Sequence, residues 1–169
     1  MLISDTYRQL NAKLHRDNPN YGSRKRDDVY QEVLMLSSEV GAQSILDYGC
    51  GKGTMSMHVP NVVNYDPAVI EYSLEPPVCD LVCCCDVLEH VEPENLHNVL
   101  TDLRYLSRKA TYLVISTRSA SKILSDGRNA HLIVKPASWW EDIIKSVFTS
   151  ETLRIEVKPF EVRMTLIGE

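Results

Sequence analysis

The chain has 169 residues, a net charge of −5 and 44% hydrophobic residues, which suits one domain (residues 1–169) with a core of its own. Nothing in this balance demands a nucleic-acid partner, no apolar run approaches the length of a membrane span, and no signal peptide opens the chain. The five cysteines form no paired Cys-x-x-Cys set, so the expectation is a reduced, cytoplasmic protein with no metal site.

Ser4 or Asp5 can cap a first helix, with Tyr7, Leu10 and Leu14 on one face. The polar stretch 15–26 follows, broken by Pro19 and Gly22. With Lys13, His15 and Arg16 upstream, Arg24-Lys25-Arg26 is the one basic concentration; it reads as a solvated helix face and loop or as a phosphate-binding patch. A second helix starts at an Asp27 or Asp28 cap, carries the stripe Val29, Val33, Leu36 and Val40, and ends at Gly41. A buried strand over 44–48 then runs into Gly49-Cys50-Gly51-Lys52-Gly53, where glycine at every second position lets a ligand approach the backbone, and a helix start should follow. Lys52 should face solvent.

Val62–Tyr65 is a second strand ending in Asp66. Residues 67–78 include Pro67, Pro76 and Pro77 and are too few for the elements that usually follow such a strand. Cys79–Cys85 is apolar on both faces, as befits a central parallel strand; Cys83, Cys84 and Cys85 alternate faces and cannot converge on a metal. Pro93 opens a helix striped by Leu96, Val99, Leu100, Leu103 and Leu106, and 111–116 is the next strand. After a polar loop, Ser138 can cap a helix over 139–148. The alternating runs 153–157 and 161–167 suit a terminal antiparallel pair. The fold class expected is α/β, a doubly wound, mostly parallel sheet with a shortened region after strand two.

The glycine loop alone fits a turn or a dinucleotide site. The dinucleotide spacing is Gly-x-Gly-x-x-Gly; here the third glycine comes one place early, Met55 stands further on, and Asp47 precedes the first glycine by two. The set Ile45-Leu46-Asp47-Tyr48-Gly49-Cys50-Gly51-Lys52-Gly53, Asn64-Tyr65-Asp66-Pro67 and Cys79 to Val91 resembles the class I S-adenosylmethionine-dependent methyltransferases over residues 27–118. Its Asp86-Val87-Leu88-Glu89-His90 stretch is similar to the small-molecule type. The resemblance implies a Rossmann-like sheet, S-adenosylmethionine as methyl donor and S-adenosylhomocysteine as product. It implies cofactor contacts from Asp47, Tyr48, Gly49, Cys50, Gly51, Asp66 and Asp86. Asp47 would engage the donor's ammonium or else cap the loop's own N–H groups. Asp66 would hold the ribose hydroxyls or else form a plain Asp-Pro turn. Residues 1–26 would cover the cofactor, with Tyr21 closing the site or simply packing.

Methyl transfer needs a base only where the acceptor loses a proton. His90 is the first candidate, or else it bonds a backbone carbonyl; Asp86 is another, and His131, in the loop after the strand at 111–116, is a third if that loop reaches the same pocket. Trp139-Trp140 can stack a flat acceptor or divide between core and rim. The chain lacks an Asn/Asp-Pro-Pro-Tyr-like motif and any Pro-Cys, so nucleic-acid bases are disfavoured as acceptors. A small or carrier-bound acceptor is expected, with a second copy or a partner subunit completing an open pocket. The alternatives are a non-catalytic interaction module, or a subunit of a larger methyltransferase complex. A nicotinamide oxidoreductase is disfavoured by the glycine spacing.

Overall fold

The computed structural model describes residues 1–168. Helix α1 (Asp5–Asp17) starts at Ser4, whose hydroxyl accepts the Tyr7 N–H. Helix α2 (Asp27–Glu39) has Arg26 at its N-cap and no side-chain cap, so neither Asp27 nor Asp28 plays the capping part; both lie in the first turn, where the helix dipole favours acids. Strand β1 (Ile45–Tyr48) is buried throughout and feeds the glycine loop. No helix follows the loop. Val62 arrives too soon after Gly53, with Pro60 between, and only a 3₁₀ turn at Met55–Met57 forms. Strand β2 (Val62–Tyr65) is followed by one more 3₁₀ turn, Ile70–Tyr72, before β3 (Cys79–Cys85), which is the shortened region expected.

Helix α3 (Leu96–Leu106) runs straight into β4 (Ser107–Ser116), which begins before Thr111. Helix α4 (Ala137–Val147) opens behind Pro136 without a side-chain cap, so Ser138 sits inside it rather than capping it. Strands β5 (Thr152–Lys158) and β6 (Glu161–Ile167) close the chain. The sheet order is β2-β1-β3-β4-β6-β5; the first four strands are parallel, and β6 runs antiparallel to both neighbours.

Alternation along the central strands divides the core. Leu46, Val82, Cys84, Leu113 and Ile115 face α3 and α4, while Ile45, Leu81, Cys83, Tyr112 and Val114 face α2. The cysteines are free, and Cys83 and Cys84 point to opposite layers as small hydrophobes. Among the described residues no helix is long and apolar enough to cross a membrane.

Candidate active site

A cavity of about 600 Å³ opens at the carboxyl ends of β1, β3 and β4, under α1 and the segment that follows it. Tyr48, Gly49 and Gly51 form its floor. Asp66, Pro67 and Ala68 form one wall, and Asp86, Val87, Glu89 and His90 the other. Tyr7, His15 and Tyr21 lie over it, and His131 stands at its rim. Such a crevice outside the strand ends is where open α/β sheets bind ligands.

The floor is built for close approach. Gly49 has φ +80°, and a Cβ there would meet Val87 at 2.5 Å. Gly51 has φ +55°, and its N–H donates to Asp66 Oδ2 at 3.0 Å. Asp66 Oδ1 accepts from Ala68 N–H at 2.9 Å, a local turn contact. Each carboxylate oxygen still has a lone pair for a ligand hydroxyl. Asp47 and Cys50 do not line the cavity. Asp47 alternates with Tyr48 and lies on the far face of β1; burial and the nearby Asp66 push its pKa up to about 7, with no hydrogen bond to offset them. Tyr48 is fixed by donating to Asp102 Oδ2 at 2.9 Å.

The N-terminal segment is latched onto the loop. Lys52 N–H donates to the Gly22 carbonyl at 2.9 Å, and Lys52 Nζ donates to the His15 carbonyl at 2.9 Å. Lys52 therefore pins the cover rather than facing solvent, a role that needs the tertiary contact and is invisible in the loop's own residues. Tyr21 packs edge-on against His15 with centroids 4.7 Å apart, and Lys122 Nζ lies 4.7 Å over its ring. The Tyr7 hydroxyl donates to the His90 carbonyl at 2.7 Å.

Asp86 ends β3 at φ +56°, an uncommon conformation for a residue with a side chain, and accepts from Arg26 at 2.9 Å. Arg26 also pairs with Asp28 and Glu161 and is buried. It is thus neither a solvated residue nor part of a phosphate patch. Glu89 is fully buried: Oε1 accepts the Ser116 N–H at 2.9 Å and Oε2 has no partner. Burial, with the Asp86 charge added, pushes its pKa up to about 8.

His90 Nδ1 lies 2.8 Å from the Ala130 carbonyl and His131 Nδ1 lies 2.5 Å from that of Arg118. A carbonyl only accepts, so both Nδ1 atoms carry a proton. The rings meet edge to face at 4.7 Å. Burial, then His131, lowers the His90 pKa to about 4, so the ring is neutral at neutral pH. His90 thus makes the backbone-carbonyl bond that is the alternative to a base role, and it also lines the cavity. Trp140 is core and Trp139 only half-buried, and neither lines the cavity. Sequence reasoning assigned Glu89 no role of its own and read His15 and Arg26 only as members of the basic concentration, because nothing local distinguishes them from ordinary surface residues.

A family model described as a methyltransferase domain matches residues 8–160. No curated protein matches the sequence. Among solved structures, an O-methyltransferase family protein from Burkholderia thailandensis is 12% identical with a TM-score of 0.57; the alignment covers 83% of this chain, which spans 56% of the length of that one. The complex of DhpI with SAH is 11% identical with a TM-score of 0.63, covering 98% of each chain. The small RNA methyltransferase HEN1 is 11% identical with a TM-score of 0.65, covering 84% of this chain and 25% of its own. At such identities the likeness is one of fold.

Proposed function

The chain belongs to a methyltransferase-domain family whose model spans residues 8–160, and from that premise we propose that it moves a methyl group from S-adenosylmethionine to a small or carrier-bound acceptor. The observation that carries this reading is the glycine floor beside Asp66. Gly49 and Gly51 line the cavity with backbone alone, their missing Cβ positions being taken up by Val87 and by the Gly22 backbone, and Asp66 offers lone pairs on both oxygens next to them. That floor fits the donor's amino-acid half and its ribose. Asp47 lies behind the loop, outside the cavity lining, with a carboxylate that lacks any hydrogen bond, so it would act on the donor's ammonium through water or through the loop and not by direct contact. Tyr21 and His15 close over the site and exclude water.

The donor brings a methyl carbon already activated by a sulfonium sulfur, so the chain's task is to orient two reactants. Asp86, His90 and His131 mark the acceptor's end of the cavity. His90 and His131 line the place where the acceptor's O–H or N–H would sit. The solved relatives include an O-methyltransferase family protein and a small RNA methyltransferase, so fold alone does not choose the acceptor. A second reading, a subunit of a larger complex, is favoured by Ile70 and Leu74, both more than 80% exposed in the shortened segment after β2.

The test is calorimetric titration with S-adenosylhomocysteine, with NAD as the control. Micromolar binding of the former alone, lost in Asp66→Ala, is expected. Absence of binding would overturn the enzyme reading and turn attention to the exposed segment and a partner subunit.

A further inference from the structure

Glu89, His90 and His131 each offer one ligand atom, and these atoms lie within 4.8 Å of one another. The first two stand in the turn after β3, and the third comes from the loop after β4.

Three features separate this cluster from an incidental meeting of polar side chains. Glu89 is fully buried, and its Oε2 has no hydrogen-bond partner among the described residues. A buried carboxyl oxygen without a partner is costly and calls for a ligand. Both histidines commit Nδ1–H to a backbone carbonyl, that of Ala130 for His90 and that of Arg118 for His131. This outer hydrogen bond fixes the tautomer and ring orientation of a metal-binding imidazole and leaves Nε2 as the ligand atom. Finally, all three residues line the cavity, so an ion held by them would keep open positions toward it.

We propose that Glu89, His90 and His131 bind one divalent transition-metal ion at the acceptor end of the cavity. Two imidazole nitrogens and one carboxylate oxygen form a mixed set that suits Mn²⁺, Fe²⁺, Co²⁺ or Zn²⁺ better than Ca²⁺ or Mg²⁺. Three protein ligands with open positions are the pattern of a catalytic rather than a structural site. The ion overrides the expectation that the chain has no metal site, which considered only the cysteines.

The role given to the ion rests on the methyl-transfer reading; its binding does not. The acceptor is then a hydroxyl compound whose oxygen occupies an open position. Coordination lowers the pKa of that hydroxyl, and its proton passes to water. The oxygen forms a bond to the methyl carbon, and the carbon–sulfur bond breaks with its electron pair returning to sulfur. The products are the methyl ether and S-adenosylhomocysteine. His90 and His131 act here as ligands and not as bases.

The experiment is titration of the chelator-stripped full chain with Mn²⁺, read by the electron paramagnetic resonance signal of the free ion, with Zn²⁺ as competitor. One Mn²⁺ per chain, displaced by Zn²⁺, is expected. Glu89→Gln retains the oxygen that accepts from Ser116, and His131→Ala removes a ligand at the rim rather than in the core; each should weaken binding by about tenfold or more. Asp66→Ala should lose S-adenosylhomocysteine and keep Mn²⁺. A wild-type chain that binds S-adenosylhomocysteine but no Mn²⁺, or equal Mn²⁺ binding in wild type and both ligand variants, overturns the site. Mn²⁺ bound without S-adenosylhomocysteine upholds the site and overturns its part in methyl transfer.

Discussion

Gly22 and Gly51 touch backbone to backbone: a Cβ on Gly51 would stand 2.7 Å from the Gly22 carbonyl oxygen and 2.9 Å from its Cα. The glycine loop is therefore in contact with the cover as well as with the ligand space. Neither neighbour can swing aside as a flexible side chain would. Gly51→Ala adds a methyl group to a residue at φ +55° and pushes on the Gly22 backbone. The conformational strain alone costs about 1–3 kcal/mol. Expected are a lower melting temperature and at least a tenfold weaker titration with S-adenosylhomocysteine. Wild-type affinity in this variant would mean that the backbone contact does not hold the cover closed.

Asp47 links stability to pH. Its pKa rises from 3.8 unfolded to about 7 folded, through burial and then Asp66. Between these values the folded chain binds more protons than the unfolded one, so stability falls as pH rises from about 4 to about 7 and stays low above that. Asp47→Asn removes this loss and should be more stable than wild type at pH 8 by a few kcal/mol, as about 1.4 kcal/mol accompanies each pKa unit. The same variant should bind S-adenosylhomocysteine only modestly more weakly, because Asp47 lies outside the cavity lining and acts on the ammonium at a distance. Melting temperatures across that pH range decide it: parallel curves for wild type and variant would remove Asp47 from the account.

Much of this was legible because the informative residues are close together in sequence. The run from Ile45 to Gly53, and Asp66 behind β2, need only strand alternation and glycine spacing to be placed. The missing post-loop helix follows from the few residues between Gly53 and Val62, which could have been counted. Arg26 was not legible, since its partners Asp86 and Glu161 lie far along the chain and only the folded sheet brings them together. Glu89 reads as an ordinary helix-start acid until burial removes its water. Lys52 and Gly22 are paired by the return of the N-terminal segment, which no local pattern encodes.

Arg26 gives a contrast between ion pairs. Its guanidinium is buried and bonds Asp86 at 2.9 Å and Glu161 at 3.0 Å. Arg26→Met leaves Asp86, which is about one-third exposed, without this counter-charge, while Glu161 keeps Arg163; with a buried guanidinium but partly solvated partners the loss should be about 1.5–3 kcal/mol. The exposed pair Lys145–Glu141 on α4 is a control: Lys145→Ala should cost less than about 1 kcal/mol. Urea unfolding measures both. Similar losses in the two variants would show that the Arg26 cluster is no more than a surface network.

Glu92 holds the start of α1. Its carboxylate accepts from Ser4 N–H at 2.7 Å, from the Ser4 hydroxyl at 2.6 Å and from Asn95 Nδ2 at 3.1 Å, and it is buried. Ser4 also caps α1, so one carboxylate orients the cap that starts the covering helix. Glu92→Ala removes the anchor and leaves the Tyr7–His90 and Lys52–Gly22 contacts to hold the cover. Charge-assisted hydrogen bonds contribute about 1.5–3 kcal/mol each, so local opening of α1 should become at least tenfold more frequent while the sheet stays folded. Tryptic cleavage after Lys13 and Arg16 should speed up accordingly, and saturating S-adenosylhomocysteine should slow it again by favouring the closed form. Cleavage at the wild-type rate would mean that α1 is held by its apolar face alone.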